Sequence, residues 1–166
     1  MSAIAASPVL AGMLAAVAAA VQTGGPGRDG RVADVLAAAA ANPMLLAGIA
    51  CPCGETYMRH LLHDGGDYAV VALVWRAGQM SPVHAHRSWC ALAVHRGILT
   101  EHFYTPGRPP RLASARLRFP GDSSHGPADD DLIHRIANCC TETAISIHAY
   151  GTAYARFAQD LNLLLD

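Results

Sequence analysis

The stretch Gly78-Gln-Met-Ser-Pro-Val-His84-Ala-His86-Arg-Ser-Trp-Cys90 carries two histidines separated by a single residue. Successive side chains of a β-strand alternate between faces, so within a strand His84 and His86 point the same way. Two imidazoles so placed can grip one metal ion from the interior of a barrel. A third ligand has to come from another strand, and Leu132-Ile-His134-Arg-Ile-Ala-Asn138 offers His134. A lone His-x-His arises by chance on surface strands; a third histidine on a separate β-rich run makes the set more specific.

Outward from these histidines, short β-rich runs recur at 57–63, 68–75, 84–95, 98–104, 112–119, 132–138 and 143–150. Turn signals separate them, including Asp64-Gly65-Gly66, Ala77-Gly78 and Thr105-Pro106-Gly107. Several short strands at this spacing predict a β-sandwich or small barrel. The first fifty residues read differently. An Ala/Leu-rich segment over 9–22 and a second over 29–41 predict two helices, broken by Gly24-Gly25-Pro26-Gly27 and ended by Asn42-Pro43. The last segment, 152–166, reads as a short helix or an edge strand. The expectation is one domain over 1–166: a helical cap (1–50), a mainly β barrel (57–150) and a tail (151–166).

Composition excludes several classes. Hydrophobic residues make up 52% and charged residues 15%, which excludes a disordered chain. The formal net charge is -1 and no basic block appears, which argues against nucleic acid as a partner. The apolar stretch over 8–21 lacks a positively charged start, since the first basic residue is Arg28, and is too short to span a bilayer. It reads as a packed helix, and the expected setting is cytoplasmic, with no membrane and a monomer or small homo-oligomer. The five cysteines, Cys51, Cys53, Cys90, Cys139 and Cys140, are odd in number and suit neither a zinc ribbon nor a disulfide scaffold. His60, His63, His95, His102 and His125 read as surface or loop residues, and Trp89 as a packing wall.

The spacing around the histidines resembles the first motif of the cupin superfamily. Gly78 is followed after five residues by His84-Ala85-His86, after three more by Cys90 and after six more by Gly97. The second motif ends in a histidine and, three residues later, an asparagine; His134 and Asn138 match it. The resemblance implies a double-stranded β-helix barrel with the helical cap at its N-terminal side. Cys90 stands where most cupins carry a carboxylate ligand, and Asp129 and Asp131 replace the Pro-x-Gly of the second motif. Without that carboxylate, three neutral imidazoles leave a divalent charge uncompensated, which favours an anionic, soft ligand such as a thiolate.

Within cupins the chain resembles the thiol dioxygenases of the cysteine dioxygenase family. Tyr57-Met-Arg59-His-Leu61 is similar to its Tyr-x-Arg-x-Leu, and Ile133-His134-Arg135-Ile-Ala-Asn138 to its Leu-His-Arg-Val-Glu-Asn. Ser146-Ile-His148-Ala-Tyr150 is similar to its Ser-His-Tyr relay, and on a strand these three share one face. The resemblance implies Fe(II) on His84, His86 and His134. It implies substrate contacts from Arg59, and from Tyr57 beside it, and catalytic roles for Tyr150, His148, Ser146 and Cys90, with a thioether open to Cys90 and Tyr150. The implied reaction adds O2 to the sulfur of a small carboxylate-bearing thiol. Zinc also binds sets of three histidines, so the residues alone leave the metal open. Two other readings compete: a metal-binding cupin without redox chemistry, acting as a sensor or small-ligand module, and a zinc or manganese isomerase.

Overall fold

The computed structural model describes residues 7–51 and 54–165. Ser7 caps the first helix, α1 (Pro8–Thr23), its hydroxyl accepting from the Leu10 amide at 3.2 Å. A second helix, α2 (Arg28–Ala40), follows the glycine-rich break, and both helices match the segments the sequence marks. Ten strands come next: β1 (Met58–Asp64), β2 (Ala69–Trp75), β3 (His84–His86), β4 (Cys90–Arg96), β5 (Leu99–Thr105), β6 (Arg111–Arg118), β7 (Ser123–Gly126), β8 (Asp129–Ala137), β9 (Ala144–Tyr150) and β10 (Asn162–Leu164). Between β9 and β10 lie a 3-10 turn (Tyr154–Arg156) and α3 (Phe157–Asp160). The tail is therefore both a short helix and an edge strand. Among the described residues, no helix is long and apolar enough to cross a membrane.

The strands form two five-stranded sheets, ordered β1-β2-β9-β4-β7 and β10-β3-β8-β5-β6, with antiparallel pairing throughout. The first sheet is buried on both faces. Val70, Ala72 and Val74 of β2, Ala91 and Ala93 of β4, and Ile145, Ile147 and Ala149 of β9 join Leu10, Met13, Val17, Val32 and Leu36 of the helices in one core. The alternate residues, among them Val71, Leu73, Trp75, Cys90, Leu92, Val94 and Tyr150, form a second core between the sheets. Burial on both faces explains why β2 is apolar throughout, whereas a strand with one wet face alternates.

Three differences from the sequence reading have physical causes. The run over 84–95 is not one strand: β3 belongs to the second sheet and β4 to the first, and the chain crosses over at Arg87–Trp89. The Arg87 amide there donates to Leu161 and the Trp89 carbonyl accepts from Gly151. Strand β7, Ser-Ser-His-Gly, is polar and shows no alternation, so only its pairing with β4 reveals it. Strand β8 starts at Asp129 rather than Leu132, because Asp129 stands opposite His86. The histidines assigned to surface or loop all lie on strands, and none is buried. Cys53 lies outside the described residues, while Cys51 and Cys139 are exposed and free.

Gly97, which closes the first motif, turns β4 into β5 with φ +73°, and a Cβ there would lie 2.8 Å from the Cα of Ala144. Both the conformation and the backbone contact favour glycine. Replacing Gly97 with Ala is expected to lower stability by about 1–3 kcal/mol, read as a lower urea midpoint at an unchanged m-value.

Candidate metal centre

Strand pairing brings the three histidines together. His84 is the register partner of His134, and alternation along β3 puts the His84 and His86 rings on one face. The three rings are buried, and one nitrogen from each lies within 4.8 Å of the others. Two of the rings have their Nδ1 committed outward. His84 Nδ1 lies 2.9 Å from the Pro82 carbonyl, and His134 Nδ1 lies 2.9 Å from Glu101 Oε1. A carbonyl and a carboxylate only accept, so each Nδ1 carries the proton and each Nε2 keeps its lone pair. His86 Nε2 lies 3.0 Å from His134 Nε2, while His86 Nδ1 is buried with no partner among the described residues.

This donor set suits a divalent metal ion. Burial, and then the neighbouring imidazoles His84, His134 and His148, hold the His86 pKa well below its ordinary value, so the ring is neutral. Metal binding requires neutral imidazoles. Three ring nitrogens converging in an apolar interior, with His86 Nε2 in hydrogen-bond contact with His134 Nε2, are a ligand set, and one without a carboxylate.

A second cluster lines the same cavity. Trp75 Nε1 donates to Ser146 Oγ at 2.9 Å, Ser146 Oγ lies 2.7 Å from His148 Nε2, and His148 Nδ1 lies 2.9 Å from the Tyr150 hydroxyl. Burial, followed by the neighbouring His134 imidazole, lowers the His148 pKa to about 3. Burial, followed by Cys90, raises that of Tyr150. Cys90 is the register partner of Tyr150 on β4, and burial, with Glu101 next, pushes its thiol up to about 12. His148, Tyr150 and Cys90 are therefore all uncharged near neutral pH. Tyr57 stacks on Trp75 with ring centroids 4.3 Å apart. The Arg59 guanidinium sits 5.2 Å over the ring of Phe157, and its Nε is buried without a partner.

Tyr57, Arg59, Trp75, Ser81, the three histidines, His148, Tyr150 and Asn162 enclose a cavity of about 20 Å³. A second, larger cavity of about 230 Å³ opens on the other side of His86 and His134, lined by Cys90, Leu92, Phe103, Leu132 and Ile133. The structure brings together all nine residues singled out from sequence: His84, His86, His134, Tyr150, His148, Ser146, Cys90, Arg59 and Tyr57. It adds Trp75, the outer end of the hydrogen-bond chain, and Glu101, the partner of His134. The signal for Glu101 was alternation, because Leu99, Glu101 and Phe103 share one face of β5.

Comparison with known proteins agrees with this architecture. The family model described as cysteine dioxygenase type I matches residues 27–159. Among solved structures, the chain is similar to a protein with a double-stranded β-helix domain from Klebsiella pneumoniae, at 19% identity and a TM-score of 0.51, over 63% of this chain and 84% of that one. It is similar to an RmlC-like cupin from Shewanella frigidimarina, at 21% identity and a TM-score of 0.51, over 64% and 85%. A cupin superfamily protein from Desulfitobacterium hafniense is similar at 12% identity and a TM-score of 0.51, over 68% and 88%. At these identities the structural likeness shows the fold: mainly β, a cupin double-stranded β-helix, here with N-terminal helices.

The buried neutral histidines give the metal-free protein a definite pH response. Folded His148 stays neutral down to about 3, whereas in the unfolded chain a histidine protonates near 6.5. Below 6.5 unfolding therefore takes up a proton, and the stability contributed by the neutral ring declines as pH falls towards 3. Urea midpoints of metal-free protein are expected to drop between pH 7 and 5, and to drop less in His148→Gln.

Proposed function

The chain belongs to the cysteine dioxygenase type I family, and we propose that it adds both atoms of O2 to the sulfur of a small carboxylate-bearing thiol, such as cysteine. The product is a sulfinic acid; the thiol supplies the electrons that O2 takes up, so no other reductant enters the balance. The observation that carries this reading is Arg59. It is a partly buried guanidinium in the cavity of the three histidines, and among the described residues no carboxylate pairs with it. A substrate carboxylate completes it with two parallel hydrogen bonds, holding the far end of a short thiol while its sulfur reaches the histidines.

Iron held by the Nε2 atoms of His84, His86 and His134 would supply the redox chemistry, giving sulfur and O2 a common meeting place. The chain's own groups do the rest. Ser146 is fully buried and accepts from Trp75, a donor only, so its own proton goes to His148 Nε2. His148 Nδ1–H then donates to the Tyr150 oxygen, which turns the phenolic proton of Tyr150 into the cavity, where substrate oxygen can accept it. The high pKa of Tyr150 keeps that proton in place. Cys90 is the register partner of Tyr150 on the neighbouring strand, and it adds no anionic ligand while its thiol stays protonated.

The cavity holds about 20 Å³, room for about one water rather than a whole thiol. The neighbouring cavity of about 230 Å³ shares His86 and His134 with it, and the tail supplies Asn162 to the lining of the small one and Phe157 to Arg59.

Loading with Fe(II) under anaerobic conditions, followed by O2 uptake with a panel of thiols, tests the reading. Sulfinate should form from a carboxylate-bearing thiol. Arg59→Ala should raise KM for that thiol at least tenfold, while turnover of cysteamine, which lacks the carboxylate, changes little. Absence of thiol consumption by iron-loaded protein would overturn the proposal. A Tyr150→Phe variant is expected to lower kcat more than it alters KM.

A further inference from the structure

Among the described residues Glu101 is the one buried acid, and the sequence motifs assign it nothing. It lies on β5, and its side chain is 0% exposed. Every acceptor position it offers is used: Oε1 takes His134 Nδ1 at 2.9 Å and Ser124 Oγ at 3.0 Å, and Oε2 takes Arg118 Nε at 2.9 Å and Nη2 at 2.7 Å. Four separate strands meet at this carboxylate: β5, β6 through Arg118, β7 through Ser124 and β8 through His134. A buried ionised acid is retained only where charge and hydrogen bonds compensate it, and Arg118 supplies the charge. The same site is otherwise made of uncharged donors, because Cys90 stands where a carboxylate ligand would.

We propose that Glu101 serves this metal centre from behind His134, as a positioning residue that holds that ring with its proton on Nδ1 and is itself anchored by Arg118. The geometry leaves His134 no other tautomer, since a carboxylate only accepts and the facing nitrogen is Nδ1. The hydrogen bond aims the ring, leaves Nε2 as the ligand atom and makes that nitrogen a stronger donor. The proposal rests on reading the histidines as a metal site and is independent of which substrate is oxidised.

Two measurements test it. In metal-free protein with ¹⁵N-labelled histidine, NMR should show His134 as the Nδ1–H tautomer; the Nε2–H tautomer would overturn the proposal. In Glu101→Gln, which keeps the size and one accepting oxygen but loses the charge, anaerobic chelator competition should show Fe(II) affinity falling about 10–100-fold. The Fe(III)/Fe(II) potential should rise, because the ferric state loses more by the removal of negative charge. Glu101→Asp should recover part of both. A folded Glu101→Gln protein with wild-type affinity and potential would refute the role. Wild-type protein that binds no divalent metal would instead sink the metal reading itself. If Glu101→Gln does not fold, the tautomer in the wild-type protein decides alone.

Discussion

Three imidazoles have to converge inside an apolar barrel without carrying charge, and much of the surrounding structure follows from that constraint. A buried imidazolium would be penalised by desolvation and repelled by its neighbours, which is how His86 is held neutral with a single ring proton. Each ring proton then needs an acceptor. His84 uses the Pro82 carbonyl and His134 uses Glu101, both from outside the ring of ligands. The lone pairs are left facing inward as a consequence of where the acceptors stand.

The first sheet makes this possible because it separates two environments. Its outer face is sealed by α1 and α2 through an apolar core, edged by the His125–Asp29 pair and the contact of His95 with the Ala40 carbonyl, which leaves its inner face free to carry polar groups. Ser146, His148 and Tyr150 sit on the inner face of β9, flanked on the outer face by Ile145, Ile147 and Ala149. The apolar half of the strand stabilises the fold through burial, so the polar half can be spent on a hydrogen-bonded chain that ends beside the histidines.

Much of this was legible in the sequence because it follows local rules. His84 and His86 obey a period of two, the relay residues obey the same period, and the glycine at position 97 marks a turn whose φ is positive. What was hidden depends on pairing between distant segments. Trp75 reads as the apolar end of a buried strand, and only its register opposite Ala144, two residues along β2 from Ser146's own partner Leu73, brings its indole to Ser146. Strand β7 has no pattern to read. Glu101 falls on the inward face by alternation, yet an acid in a strand ordinarily faces water. Its burial depends on Arg118 and Ser124, which lie 17 and 23 residues further along the chain.

Strand β10 pairs with β3, setting Asn162 against His86, Leu163 against Ala85 and Leu164 against His84. The segment that walls the small cavity is thus hydrogen-bonded to the backbone that carries two of the histidines. Order in the chain terminus and order in the ligand strand are linked equilibria: whatever fixes β3 also favours a docked β10, by the same free energy. Opening of β10 is therefore coupled to the order of the strand that carries His84 and His86, and amide hydrogen exchange can follow it at Asn162, Leu163 and Leu164.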